Sequence, residues 1–228
     1  MSATYNTDEL RRSLEALPQI ASVGEMKVEN DIVKYIAIET GAAGSVTAQQ
    51  LDTDDAPALF DFYFKGLSER PRRLFIPYPL FHTPPSCAAQ LAQRIADWKK
   101  EDDWSAIKLV KDKQIIGLGL LKRFRTEQVT SAVAIRDDFL KMGLGYLLQT
   151  IIIGQARLLS LKRFHVKVIS DNIASVRLHQ KCGFKKAGTV PWDGYEGLLT
   201  FLNESDYEGK GKAADRHIIE MVIELKRE

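Results

Sequence analysis

An α+β fold, with a mixed sheet and helices on its faces, is predicted by three features of the sequence. Strand-length apolar runs and helix-period segments follow one another along the whole chain. Turn signals such as Glu29-Asn30-Asp31 and Lys111-Asp112-Lys113 join neighbouring strands. No internal repeat interrupts the pattern, and 228 residues with 45% hydrophobic content suit one domain, or one domain with an extension.

Residues 6–17 read as a helix. Asn6 and Glu9 have capping-box spacing, Leu10, Leu14 and Leu17 share a face, and Pro18 ends it. Residues 22–28 and 32–39 read as a hairpin, and Gly41–Ser45 as a linker. Residues 1–44 are therefore expected as an N-terminal helix–hairpin extension. Its hairpin could pair with a second chain as a homodimer, add to the main sheet's edge, or cap a substrate site. The domain proper is expected over residues 45–228.

A strand near 45–51 opens that domain. The acidic Asp52–Asp55 segment then starts a helix carrying Ala58, Leu59, Phe62 and Tyr63. Phe75–Pro85, rich in proline and aromatics, reads as a loop, and residues 87–100 as a helix. Strands follow at 104–110, 114–122 and 127–135. A long apolar helix runs from Gly143 to about Ser160, with Gly154 costing it about 1 kcal/mol against alanine. Phe164–Ile169 is a strand and Ile173–Lys181 a short helix, with Gly183 placed as its C-cap. The last strands are expected at 184–190 and 216–225, separated by the charged, glycine-rich loop Asp193–Lys212.

Charge narrows the function. Lys and Arg number 32 against 30 acidic residues, a formal charge of +2, without the basic stripe of a nucleic-acid binder. Two cysteines, Cys87 and Cys182, suggest neither a disulfide framework nor a metal site. The opening Met1–Tyr5 lacks a basic n-region and an apolar h-region, and no apolar run is long enough to span a bilayer. A cytoplasmic protein, with no membrane or nucleic-acid partner, is the expectation.

The chemistry concentrates at Ile135–Gly145. A strand ends, Arg136-Asp137-Asp138-Phe139 follows, and Leu140-Lys141-Met142-Gly143-Leu144-Gly145 opens a helix. A helix start presents unpaired N–H groups and partial positive charge, which suit a phosphate. Glycines allow close approach to the backbone. No Asp or Glu lies between Lys141 and Ser160 to compete. Two glycines at a turn can equally be a tight corner. The dinucleotide fingerprint lacks its third glycine, and no Gly-Lys-Ser/Thr triplet of a P-loop is present.

Downstream the chain reads SDNIASVRLHQKCGF, Ser170 to Phe184. The pair of segments resembles the GCN5-related N-acetyltransferase (GNAT) superfamily. That family's turn has the form Gln/Arg-x-x-Gly-x-Gly/Ala, and its later segment Asn-x-x-Ala/Ser, a tyrosine, then Gly-Phe. Asn172, Ser175, Gly183 and Phe184 match, and Val46–Phe64 is similar to the family's first strand and helix. Leu140 stands where the family prefers Gln or Arg, and His179 where it prefers tyrosine.

The resemblance implies the acyl-CoA N-acyltransferase fold, with a mostly antiparallel central sheet. It implies acetyl-CoA as co-substrate, no metal, and a small-molecule or peptide amine as acceptor. By resemblance, Leu140, Lys141, Met142, Gly143, Leu144 and Gly145, with Tyr146 beside them, hold the pyrophosphate. Val133, Ala134 and Ile135 pair with the pantetheine arm, Asn172 touches the cofactor, and His179 lies near the sulfur. Asn172 also suits an N-cap. His179 would donate a proton to sulfur if charged, or orient a water if neutral. The strand before the turn lacks the carboxylate many members carry. Glu127, or a water held at Ser131, is the candidate base. Trp192 and Tyr195 could line the acceptor cleft or pack. Asp193, Glu196, Glu204, Asp206 and Glu208 could attract a cationic acceptor or form a solvated loop. A sensor or structural module that binds acyl-CoA with little or no turnover is the alternative function.

Overall fold

Asn6 starts the first helix, α1 (Thr7–Glu15), through a complete capping box. Its Oδ1 accepts from the Asp8 and Glu9 N–H groups at 3.0 and 3.1 Å, and Glu9 Oε2 accepts the Asn6 N–H at 2.7 Å. The structure, a computed structural model, describes residues 5–75, 80, 84–126, 129–191 and 217–225.

Strands β1 (Ile20–Glu29) and β2 (Ile32–Thr40) form the expected hairpin. Asn30 and Asp31 both take positive φ, 51° and 62°, as a two-residue turn matched to strand twist requires. The Gly41–Ser45 stretch is a tight turn rather than a linker. The Thr40 hydroxyl accepts the Ala43 N–H at 2.9 Å and donates to the Gly44 carbonyl at 3.0 Å, which sends the chain straight back as β3 (Gly44–Gln50).

A 3-10 turn at Thr53–Asp55 leads into α2 (Ala56–Asp61), which widens into a π turn over Phe62–Gly66. Helices α3 (Glu69–Leu74) and α4 (Ala88–Lys99) follow. Then come β4 (Trp104–Lys111), β5 (Gln114–Lys122) and β6 (Thr130–Ile135). The long helix α5 (Leu144–Leu158), β7 (Arg163–Ile169), α6 (Ile173–Lys181), β8 (Lys185–Pro191) and β9 (His217–Glu224) complete the described chain.

Among the described residues, nine strands make one sheet in the order β1-β2-β3-β4-β5-β6-β7-β9-β8. Every neighbouring pair is antiparallel except β6 and β7. The N-terminal hairpin thus adds to the main sheet's edge, one of the three roles open to it. One apolar layer lies between the sheet and α1 and α5, where Leu10, Leu14, Ile36, Leu148, Ile152 and Phe164 pack. The other lies under α2 and α4 and includes Leu59, Phe62, Leu91, Ile95, Leu118 and Leu120. Each fully buried side chain of this size contributes about 1.5–3 kcal/mol.

Gly154 looked costly within α5. Its reason is α1: a Cβ there would meet Leu10 Cδ1 at 2.4 Å. Removing the side chain lets the two helices approach, which offsets the lost helix propensity.

Candidate functional site

The one parallel pair opens the sheet. β5 and β6 stay in register from Lys122↔Thr130 to Gly117↔Ile135. β6 and β7 share only Thr130↔His165, beside the bond from the His165 N–H to the Val129 carbonyl at 2.9 Å. On its other edge β7 pairs with β9 along its whole length. Among the described residues the β6 edge from Ser131 to Ile135 faces no strand, and a wedge opens with its vertex at Thr130 and His165.

The wide end of the wedge meets the glycine turn. Arg136 leaves β6 with Nε 3.0 Å from Asp138 Oδ1 and Nη1 3.4 Å from Asp61 Oδ2. The Asp137 carboxylate accepts the Ser68 N–H at 2.8 Å. These contacts tie the turn to the segment after α2. A 3-10 turn at Asp137–Phe139 follows, then Lys141 at φ 64° and Gly143 at φ 78°. Gly143 is needed twice over. Its φ is left-handed, and a Cβ would meet Gln19 Cγ at 2.9 Å. Gln19 Nε2 also donates to the Gly143 carbonyl at 3.3 Å, so the N-terminal segment buttresses the turn.

α5 begins without a side-chain cap and without a carboxylate in its first turn. The Tyr146 and Leu147 N–H groups both reach the Gly143 carbonyl at 3.1 Å. Those of Leu144 and Gly145 have no partner among the described residues. Together with the dipole of a 15-residue helix they suit an anion. Gly145 differs from Gly143. A Cβ on it would meet only Leu178 Cδ2 at 3.7 Å and Ile135 Cγ1 at 3.8 Å, ordinary contact distances. Protein packing does not demand glycine there, so the open backbone fits a bulky phosphate approaching from outside.

α6 closes the far side of the wedge. The Asn172 side chain caps it, accepting the Ser175 N–H at 3.2 Å. Gly183 takes φ 91°, and the Phe184 N–H returns to the His179 carbonyl at 3.0 Å. Lys181 Nζ sits 4.2 Å from the Tyr146 ring centroid and joins α6 to the start of α5.

His179 is 5% exposed and stands edge-on to Phe184, ring centroids 5.1 Å apart. Its Nδ1 lies 2.7 Å from the Ser175 carbonyl, which only accepts, so Nδ1 carries the hydrogen. Nε2 is left as an acceptor, buried and without a partner among the described residues. Burial lowers the imidazole's pKa, against a smaller upward pull from the Ser175 carbonyl. Of the two roles expected for it, the lowered pKa favours the neutral ring.

The structure places Val133, Ala134 and Ile135 on β6, the Leu140–Tyr146 turn at the start of α5, and Asn172 and His179 at the start and near the end of α6; Gly145 meets both Ile135 and Leu178. Val133 and Ile135 face α5, while Ala134 faces the layer under α2 and α4. Glu127, Trp192, Asp193, Tyr195, Glu196, Glu204, Asp206 and Glu208 lie outside the described residues. Among the described residues no group of three His, Cys, Asp or Glu side chains could hold a metal, and no helix is long and apolar enough to cross a membrane. Burial pushes the Cys182 thiol up to about 12, which suits a packing residue.

Sequence reasoning missed two residues beside this opening. Gln149 on α5 is fully buried, and neither amide atom has a partner among the described residues. Its only signal was an amide inside an apolar helix, which it shares with Gln155. Lys122, opposite Thr130 at the vertex, has its pKa lowered to about 8, chiefly by burial and also by repulsion from Arg123.

The family model described as Acetyltransferase (GNAT) domain matches residues 46–185. No curated protein matches the chain by sequence. Solved structures share the fold. An acetyltransferase of the GNAT family from Streptococcus pneumoniae superposes with a TM-score of 0.57 at 16% identity, covering 79% of this chain and 99% of its own. Spermidine N-acetyltransferase from Vibrio cholerae, in complex with CoA and spermine, gives 0.59 at 13% identity, over 80% and 96% of the two chains. An N-acetyltransferase from Staphylococcus aureus Mu50 gives 0.55 at 14% identity, over 79% and 99%.

Proposed function

Because the chain belongs to the GNAT acetyltransferase family, we propose that it moves an acetyl group from acetyl-CoA to a primary amine by direct attack on the thioester. One observation carries this reading. The wedge between β6 and β7 opens beside an uncapped, carboxylate-free helix start, so an anion site and an unpaired strand edge lie end to end.

In this reading the Leu144 and Gly145 N–H groups, with Lys141, receive the pyrophosphate. The free edge at Val133–Ile135 pairs with the pantetheine arm, and Asn172 and His179 line its sulfur end. Acetyl-CoA supplies the activated acyl group. The protein positions it and removes a proton from the acceptor. A lysine-like amine with a pKa of about 10.4 costs about 4–5 kcal/mol to deprotonate at pH 7, an α-amine near 7.8 only about 1. The base is the larger need. β6 offers no carboxylate, so Glu127 or a water held at Ser131 takes that role.

The acceptor is a small-molecule or peptide amine. A panel spanning polyamines, amino acids, lysine peptides and free peptide N-termini, read by release of CoA thiol, tests the proposal. Transfer to at least one amine is expected. The carboxylate-free β6 favours a second reading, an acyl-CoA sensor. CoA binding with transfer to no amine would select it.

A further inference from the structure

Among the described residues, three buried polar groups on β6, α5 and α6, the elements beside the wedge, stand without partners. They are Ser131 Oγ on β6, both amide atoms of Gln149 on α5, and Nε2 of His179 on α6. Ser131 is 9% exposed, Gln149 0% and His179 5%. Buried polar groups are nearly always paired, so one left unpaired beside the wedge points to a ligand that supplies the missing bonds.

Gln149 is the most telling of the three, because it leaves a donor and an acceptor unmet at once. Its position follows from helix geometry. Gly145 faces Ile135 of β6 and Leu178 of α6. Gln149 is one turn further on, about 40° round the axis and about 6 Å along it, so it keeps to that side. Its height is fixed by a second contact. Val133 pairs with Gly119, and a Cβ on Gly119 would meet Leu148 and Ile152 at 3.0 and 3.1 Å. The carboxamide is therefore level with Val133, on the flank of α5 turned toward α6, where β6 faces no strand among the described residues.

We propose that Gln149 is a polar anchor for the pantetheine arm, its carboxamide exchanging hydrogen bonds with an amide of that arm. The inference rests on the CoA reading above and adds a residue to it. An amide offers a donor and an acceptor in one plane, and so does the arm. An arm lying along the β6 edge passes Val133 and so comes level with Gln149. Adenosine 3′,5′-bisphosphate, which has no arm, has nothing to offer this side chain.

The test is calorimetric binding to wild type, Gln149→Met and Gln149→Asn, with CoA and with adenosine 3′,5′-bisphosphate, alongside unliganded melting curves. Gln149→Met should weaken CoA about tenfold, the equivalent of one neutral hydrogen bond. It should leave adenosine 3′,5′-bisphosphate unchanged and not lower the unliganded Tm. Gln149→Asn, whose amide is set back by one methylene, should also weaken CoA selectively. Equal CoA affinity in wild type and Gln149→Met overturns the proposal. So does an equal loss for both ligands, or failure of Gln149→Met to fold, since an unpartnered amide should not be needed by the empty protein. Wild type that does not bind CoA overturns the CoA reading itself, a result distinct from all of these.

Discussion

The carboxamide of Gln155 on α5 accepts the backbone N–H of Val33 at 2.8 Å, and its Nε2 donates to the Asp31 carbonyl at 2.6 Å. One side chain thus clamps the tip of the N-terminal hairpin to the central helix. Both Gln155 and Val33 are fully buried. Gln155→Leu keeps the size but strands the Val33 N–H. It should lower unfolding free energy by about 1–3 kcal/mol. A urea midpoint shifted down at constant m is the expected result; an unchanged midpoint would show that the clamp is redundant.

The two glycines of the turn should separate stability from binding. Gly143→Ala forces a side chain into left-handed φ and against Gln19, at a cost of about 1–2 kcal/mol in stability. Gly145→Ala meets only ordinary contacts, so the fold should keep its urea midpoint. Its CoA affinity should still fall, because the methyl occupies the approach to the uncapped N–H groups. If Gly145→Ala bound CoA as wild type does, the phosphate would not be approaching over that residue.

Much of this was legible in the sequence because local signals and tertiary demands agreed. The Asn6 capping box, the Asn30-Asp31 turn and the Gly183 C-cap are chemistry within a few residues, and each formed where the residues required it. Gly41–Ser45 misled because small residues suit linkers and tight turns alike. The Thr40 hydroxyl, bonded across to Ala43 and Gly44, decides between them. Gly154 could not be justified without Leu10, which arrives from the other end of the chain. The lowered pKa of His179 comes from burial, working against the Ser175 carbonyl, and Gln149 shows its meaning only once its partners are seen to be missing. Pattern reading finds faces and turns. It does not find unmet hydrogen bonds.

His179 should titrate below its unfolded value. Above about pH 6.5 the ring is neutral in both folded and unfolded chains. As pH falls through that value the unfolded chain takes up the proton first, because burial disfavours the charged ring in the fold. His179 therefore adds a loss of stability on acidification, running from about pH 6.5 down to its lowered folded pKa. An NMR titration should place the imidazole midpoint below 6.5, and His179→Phe should flatten that part of the stability profile. A midpoint at or above 6.5 would favour the imidazolium as a proton donor to sulfur.

Lys122 should act in the alkaline range. It stands in a row with Trp104, Thr130 and His165 across four strands, and directly opposed residues share a face of the sheet. No carboxylate among the described residues pairs with it, and Arg123 repels it. Its pKa of about 8 lies below the ordinary 10.5, so the charged form is penalised in the fold. Below pH 8 the folded protein carries that penalty in full. Between about 8 and 10.5 the unfolded chain holds the proton that the fold has released, and stability climbs toward the unpenalised level as pH rises. Lys122→Met should therefore stabilise the protein at pH 7, by up to about 3 kcal/mol for a shift of this size. The gain should shrink to nothing by about pH 10.5. Chemical denaturation at pH 7 and pH 10.5 reads both values. A gain of equal size at the two pH values would trace to the methionine's apolar packing rather than to the buried charge.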